Sequence, residues 1–171
     1  SKEKGEIAVE QILHPQGKGL ILRTSWLLGP SRRNFLLTML NLFKTKKEIN
    51  VVSDQIGCPT STNTLGKLIW RFIEKFKDNE MPITPYLHCC DDGYASWYEI
   101  AKFINFSAKE IGLIDNFVKI TPIKSSEYNA LAKRPLYSLL DNSLAKTELD
   151  FETKHWQLTI REILDNILSN K

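Results

Sequence analysis

A chain of 171 residues that is 42% hydrophobic and 25% charged has the make-up of a soluble globular protein, with room for one full domain. Its net charge of +3 comes from lysines and arginines interspersed with acidic residues, which argues against a nucleic-acid surface. No apolar run approaches the ~20 residues that span a bilayer, and no signal peptide is visible, so neither a membrane nor a secretory destination is expected.

In chain order, residues 2–14 place Ile7, Ala8, Ile12 and Leu13 in a helical pattern, which Pro15, Gly17 and Gly19 end. The chain opens on Ser1 without Met and enters this helix at once, which reads as part of a longer protein. Leu20-Ile21-Leu22 form the apolar centre of a strand that continues toward Thr24. A continuous rather than alternating pattern predicts a strand of a parallel sheet covered on both faces. Gly29 and Pro30 mark a loop, and a helix over 34–46 carries Phe35, Leu36, Met39, Leu40 and Phe43 on one face. Ile49 to Val52 form a short strand.

The loop Asp54-Gln55-Ile56-Gly57-Cys58-Pro59-Thr60-Ser61 follows. Glycine permits positive φ and proline fixes φ, so Gly57 and Pro59 predict a set backbone path. A rigid polar turn between hydrophobic elements is where binding groups tend to be placed. Asn63 is an N-cap candidate for a helix with Leu65, Leu68, Ile69, Phe72, Ile73 and Phe76 at helical spacing. Those six should pack inward, leaving Lys67, Arg71 and Lys75 to water. A strand near 85–90 comes next, and Ser96-Trp97-Tyr98-Glu99 is a capping-box pattern that opens a helix aligned on Trp97, Ile100, Ala101 and Ile104. Val118 to Thr121 read as a strand, 125–141 as irregular and polar, 142–149 as a short helix, and 157–169 as the last helix. Trp70, Trp97 and Trp156 read as core residues. Helices alternating with strands predict an α/β fold. The chain carries no Gly-x-Gly-x-x-Gly phosphate loop.

Several residues admit two readings. Trp26 follows an apolar strand, at the end where ligands gather in parallel sheets, and is otherwise a core aromatic. Arg23 is either salt-bridged or near a ligand phosphate. Asn34 can cap the helix that follows it. Asp54 and Gln55 can cap their own turn or close a site. Arg134 in the irregular stretch is a surface arginine or a bidentate phosphate ligand. Cys58 reads as a small packed residue. Cys89 and Cys90 are adjacent in a strand and should face opposite ways. The three cysteines fit no zinc motif and no disulfide framework, so reduced, cytoplasmic thiols are expected. His14, His88 and His155 are scattered, and no metal ligand set can be placed.

Four segments together resemble one family. They are Ser1-Lys2-Glu3-Lys4-Gly5-Glu6; Arg23-Thr24-Ser25-Trp26-Leu27-Leu28-Gly29 with Asn34-Phe35; the loop Asp54 to Thr60; and Ala132-Lys133-Arg134-Pro135 with Leu140-Asp141-Asn142-Ser143. The set, with Ser96-Trp97-Tyr98-Glu99, resembles the C-terminal part of dTDP-4-dehydrorhamnose reductase, an extended short-chain dehydrogenase/reductase. The resemblance implies the last strands of a Rossmann-type parallel sheet plus a small α/β substrate-binding lobe over residues 1–171. The cofactor-binding N-terminal half of the same protein would then be its partner, outside the chain. The resemblance implies NADPH or NADH as hydride donor, a dTDP-sugar substrate in nucleotide-sugar and cell-wall polysaccharide biosynthesis, and a possible homodimer.

Lys2 takes the place of the family's catalytic and cofactor-contacting lysine, whose tyrosine would lie before Ser1. Trp26 takes the place of a sugar-contacting tryptophan. Asn34, Asp54, Gln55 and Arg134 are expected at the substrate. Two alternatives stay open: a non-catalytic regulatory subunit resembling that of methionine adenosyltransferase, and a reductase or epimerase of another nucleotide sugar. On this reading the strand at 20–24 shows an unpaired edge, and the helices at 2–14 and 34–46 lack part of the surface they cover.

Overall fold

The computed structural model describes residues 2–77, 84–129, 132 and 134–170; Ser1 and Lys133, both within the motifs above, lie outside the described residues. The elements are α1 (Lys2–Ala8), β1 (Ile21–Thr24), β2 (Leu27–Leu28), α2 (Phe35–Thr45), β3 (Glu48–Val52), β4 (Ile56–Gly57), β5 (Thr60–Ser61) and α3 (Thr62–Phe76). They continue with β6 (Tyr86–Cys89), β7 (Ala95–Ser96), α4 (Trp97–Glu110), β8 (Lys119–Ile123), β9 (Tyr137–Ser138), α5 (Ser143–Leu149) and α6 (Trp156–Ser169). The fold is mixed α/β with parallel pairing, as the alternation of patterns predicts. β1 pairs parallel with β6, from Ile21 opposite Tyr86 to Thr24 opposite Cys89. β3 pairs parallel with β8, and β2 with β5. β4 lies between antiparallel β7 and parallel β9. The stretch 125–141, expected to be irregular, holds among its described residues a tight helical turn at Ser125–Glu127 and β9.

Among the described residues two apolar cores form. The larger joins Leu36, Met39, Leu40 and Phe43 of α2 with Val51 of β3, Ile100 and Ile104 of α4, and Ile160 and Leu164 of α6. The smaller joins Leu68 of α3, Leu87 and Cys89 of β6, and Ala145 and Leu149 of α5, with Leu20 and Leu22 packed against it. Between them stands Asp91, 1% exposed. Its Oδ2 accepts from the Ser61 amide at 2.8 Å and the Thr159 hydroxyl at 2.7 Å, and its Oδ1 accepts from the Thr64 hydroxyl at 2.6 Å. One carboxylate thus ties the start of α3 to α6.

Four expectations are corrected here. The cap of α3 is Ser61, whose Oγ accepts from the Thr64 amide at 2.9 Å, because β5 runs straight into the helix before Asn63 is reached. The inward face of α3 is narrower than six positions. Leu68 is buried and Leu65, Phe72 and Phe76 are partly buried, whereas Ile69 and Ile73 are 42% and 45% exposed. Trp70, read as core, is 65% exposed. The buried stripe follows the single line toward β6 and α5, and Ile69 and Ile73 sit a helical step off it. Helix α2 is not left uncovered: Leu36, Met39, Leu40 and Phe43 of its five inward positions are buried in the larger core, and Phe35 is partly buried against it. The capping box of α4 forms as expected, with Ser96 Oγ accepting from the Glu99 amide and the Glu99 carboxylate accepting from the Ser96 amide.

β1 is covered less than its pattern predicts. Ile21 is buried, but Arg23 is exposed and held by Glu6 at 2.7 Å and by the Tyr86 ring at 4.7 Å, as its salt-bridged reading expects. Among the described residues β1 has one strand partner, β6, and α1 and its continuation to Gln16 bury none of their residues. Unpaired strand edges beside exposed apolar side chains, here Ile7 and Ile12, invite association. The 171-residue chain by itself should therefore run above its 19.7 kDa in size-exclusion chromatography with light scattering. A monodisperse monomer with one cooperative melt would contradict this.

Candidate functional site

A cavity of about 430 Å³ opens where α2, β3 and the start of α4 meet the long connection before β9. Its size falls within the range of small-molecule sites. Phe35, Met39 and Leu42 of α2 and Val52 of β3 supply an apolar wall. Asn50 and Gln55 add amides, Tyr128 a phenol, and Arg134 a fixed positive charge. An apolar slot suits a planar ring, amides suit the polar edge of such a ring, and a guanidinium suits a phosphate.

Trp26 sits beside this cavity, in left-handed backbone at φ 44°, a conformation a side-chain-bearing residue seldom adopts. Three contacts hold it there. Its carbonyl accepts from the Thr60 amide at 3.2 Å. Its indole stacks on that of Trp97 at 3.7 Å between centroids, with 12° between planes. Its ring also lies against Gly57, where a Cβ would come within 2.5 Å of Trp26 Cε2. Gly57 is not among the glycines at positive φ. Its place in the loop is explained by the close approach of the indole, which corrects the turn-based reading.

The structure brings together only part of the expected set. Gln55 and Arg134 line the cavity, and Trp26 reaches it through Trp97. Asn34 adjoins it through Phe35, but its side chain is occupied. Its Oδ1 accepts from the Leu37 amide at 3.2 Å, and its Nδ2 donates to the carbonyls of Gly29, Ser31 and Arg32 at 3.0, 3.2 and 3.1 Å. The capping role holds, and the same group shapes the loop ahead of the helix. Asp54 caps a turn, though not its own: its carboxylate accepts from the amide and hydroxyl of Ser125 at 2.8 and 2.9 Å. It thereby anchors the segment that carries Tyr128 and leads to Arg134. Lys2 stands in the exposed first turn of α1 and is not part of the cavity wall.

Two features escaped the sequence reading. Trp97, taken as core, is half-buried and forms both the cavity wall and the Trp26 platform; its capping box, which puts it at the first helical position, was the visible signal. Cys58 meets Cys90. The Cys90 and Cys58 thiols both reach the Leu140 carbonyl, at 3.6 and 3.9 Å; the neighbouring Cys90 thiol draws the Cys58 pKa down to about 6 against burial, and Cys90 is pushed up in return. The Leu140 amide also donates to Cys58 Sγ at 3.4 Å. Cys89 faces the smaller core instead, where burial, and then Asp91, push its thiol up to about 12. All three cysteines are free, and no described helix is long and apolar enough to cross a membrane.

Residues 1–169 match the family model described as the RmlD substrate binding domain. A dTDP-4-dehydrorhamnose reductase of Aggregatibacter actinomycetemcomitans is 32% identical over 163 residues, covering 95% of this chain and 54% of that protein. The spore coat polysaccharide biosynthesis protein SpsK of Bacillus subtilis (strain 168) is 38% identical over 144 residues, covering 84% and 46%. The crystal structure of dTDP-4-dehydrorhamnose reductase from Bacillus anthracis in complex with NADP superposes with a TM-score of 0.81 at 30% identity, covering 96% of this chain and 53% of that one. The chain thus spans about half the length of the relatives it matches.

Proposed function

This chain belongs to the RmlD substrate-binding domain family, and from that premise we propose that it forms the sugar-nucleotide side of a dTDP-4-dehydrorhamnose reductase. The reaction is reduction of the sugar C4 carbonyl of dTDP-4-dehydro-L-rhamnose to the alcohol of dTDP-L-rhamnose. NADPH or NADH supplies the hydride when bound. Of this chain's residues only Lys2 is assigned to that cofactor, and no glycine-rich turn is present to cradle its diphosphate. The dinucleotide therefore does not fit this chain alone, and the 171 residues by themselves should not oxidise NADPH in the presence of the substrate.

The observation that carries the reading is the cavity with Arg134 at its edge and the Trp26–Trp97 stack at its side. The thymine ring enters the apolar slot of Phe35, Met39, Leu42 and Val52. The amides of Gln55 and Asn50 meet its polar edge. Arg134 holds the diphosphate in the bidentate manner of guanidinium. Trp26 then offers the deoxysugar an apolar face and an indole N–H. Lys2 is assigned the part of the family's catalytic lysine, which favours proton delivery from that family's tyrosine to the carbonyl oxygen.

Isothermal titration of the 171-residue chain with dTDP tests this. Binding is expected without any cofactor, and Arg134→Ala should weaken it by about tenfold to a hundredfold, the worth of a hydrogen bond to a charged group. No heat of binding from the wild-type chain, or full affinity in the Arg134 variant, would overturn the reading.

A further inference from the structure

Among the described residues Trp97 is the one side chain shared by the cavity and by the Trp26 stack. One side of it helps line the cavity, together with Phe35, whose ring centroid lies 4.5 Å away at 47°. It also lies parallel to Trp26 at 3.7 Å. Its backbone is fixed because it occupies the first position of α4, behind the Ser96–Glu99 capping box. Trp26 has little freedom of its own. Gly57 blocks motion on one side, and the Thr60 amide holds its carbonyl. The indole of Trp26 can therefore adjust chiefly with Trp97, and Trp97 can adjust only with whatever fills the cavity.

We propose that Trp97 is a positioning residue that couples the two halves of the ligand: a nucleotide in the cavity sets Trp97, and Trp97 sets the indole of Trp26 against the sugar. This rests on the assignment of the cavity to the nucleotide and of Trp26 to the sugar. It goes further in making the sugar contact conditional on occupancy of the nucleotide cavity. A ligand lacking the nucleotide meets an unset Trp26. A nucleotide lacking the sugar still shifts the Trp26 indole, which it does not touch, through Trp97.

The test uses the 171-residue chain, dTDP and dTDP-L-rhamnose. Two indoles stacked face to face give an exciton couplet in circular dichroism, which Trp97→Phe, Trp97→Leu and Trp26→Phe should each remove. Addition of dTDP alone should change the couplet of the wild-type chain. Calorimetry should show that the affinity ratio of dTDP-L-rhamnose to dTDP falls by about tenfold in Trp97→Leu, which is about 1.4 kcal/mol. Trp97→Phe, which keeps a ring for Trp26 to stack on, should recover part of that ratio. A residue that is merely a wall would weaken both ligands equally and leave the ratio unchanged. That result, or a couplet indifferent to bound dTDP, would overturn the coupling while leaving the nucleotide assignment standing. Absence of dTDP binding by the wild-type chain would overturn both.

Discussion

Leu68→Asp should cost the fold about 4 kcal/mol or more, enough to unfold the smaller core at ordinary temperature. Leu68 is 1% exposed and packs with Leu87, Cys89, Ala145 and Leu149. Removing a buried leucine side chain alone costs about 2–5 kcal/mol, and the introduced carboxylate must either remain charged in an apolar site or take up a proton. Ile73→Asp on the same helix is the matched control. Its side chain is 45% exposed, so the cost should stay near the small values of surface substitutions. Urea unfolding of the two variants separates the faces of α3. Equal midpoints would refute the orientation described here, and with it the reason Trp70 stands in solvent.

Asp91→Ala should destabilise by roughly 3 kcal/mol, because it leaves the Ser61 amide and the Thr64 and Thr159 hydroxyls without their acceptor in a buried site. The loss falls on the joint between the cores, so both should melt at a lower temperature. The effect also carries a pH signature. Burial raises the Asp91 carboxyl above its ordinary value, against the hydrogen bonds from Thr64, Thr159 and Ser61 that pull it down. The native state therefore holds this proton more tightly than the unfolded chain does. Its contribution is greatest below the unfolded carboxylate value and is lost as pH rises through the native one.

Asp92 has the opposite sign. Burial raises its carboxyl, but Lys146, at 2.6 Å, and Thr153 outweigh burial and leave it lowered. Its contribution is present above the unfolded value and is lost as pH falls through the native one. The gap in unfolding free energy between wild type and Asp91→Ala should accordingly narrow from acid toward neutral pH. Denaturation series at several pH values would show it, and a widening gap would contradict the assignment.

What the sequence determined was local. The spacing of Leu36, Met39, Leu40 and Phe43 specified the inner face of α2, and Ser96 with Glu99 specified the start of α4, because both patterns are written within one or two helical turns. The alternation of elements determined the α/β class, and the four motifs pointed to the family. Tertiary structure alone decided the rest. Asp54 looked like the cap of its own turn until β3 and β8 paired and brought Ser125 to it. Gly57 looked like a turn residue chosen for its backbone freedom until the Trp26 ring was seen against it. Ile69 and Ile73 matched the periodicity of a buried face, yet no described element arrives to cover them. Trp97 looked like one more core aromatic, and its two neighbours, Trp26 and the cavity, come from segments far away in the chain. Periodicity and capping report the geometry of a residue's own turn. Which group meets that residue from elsewhere depends on how distant strands pair and how helices cross, and that information is not carried by any short stretch of sequence.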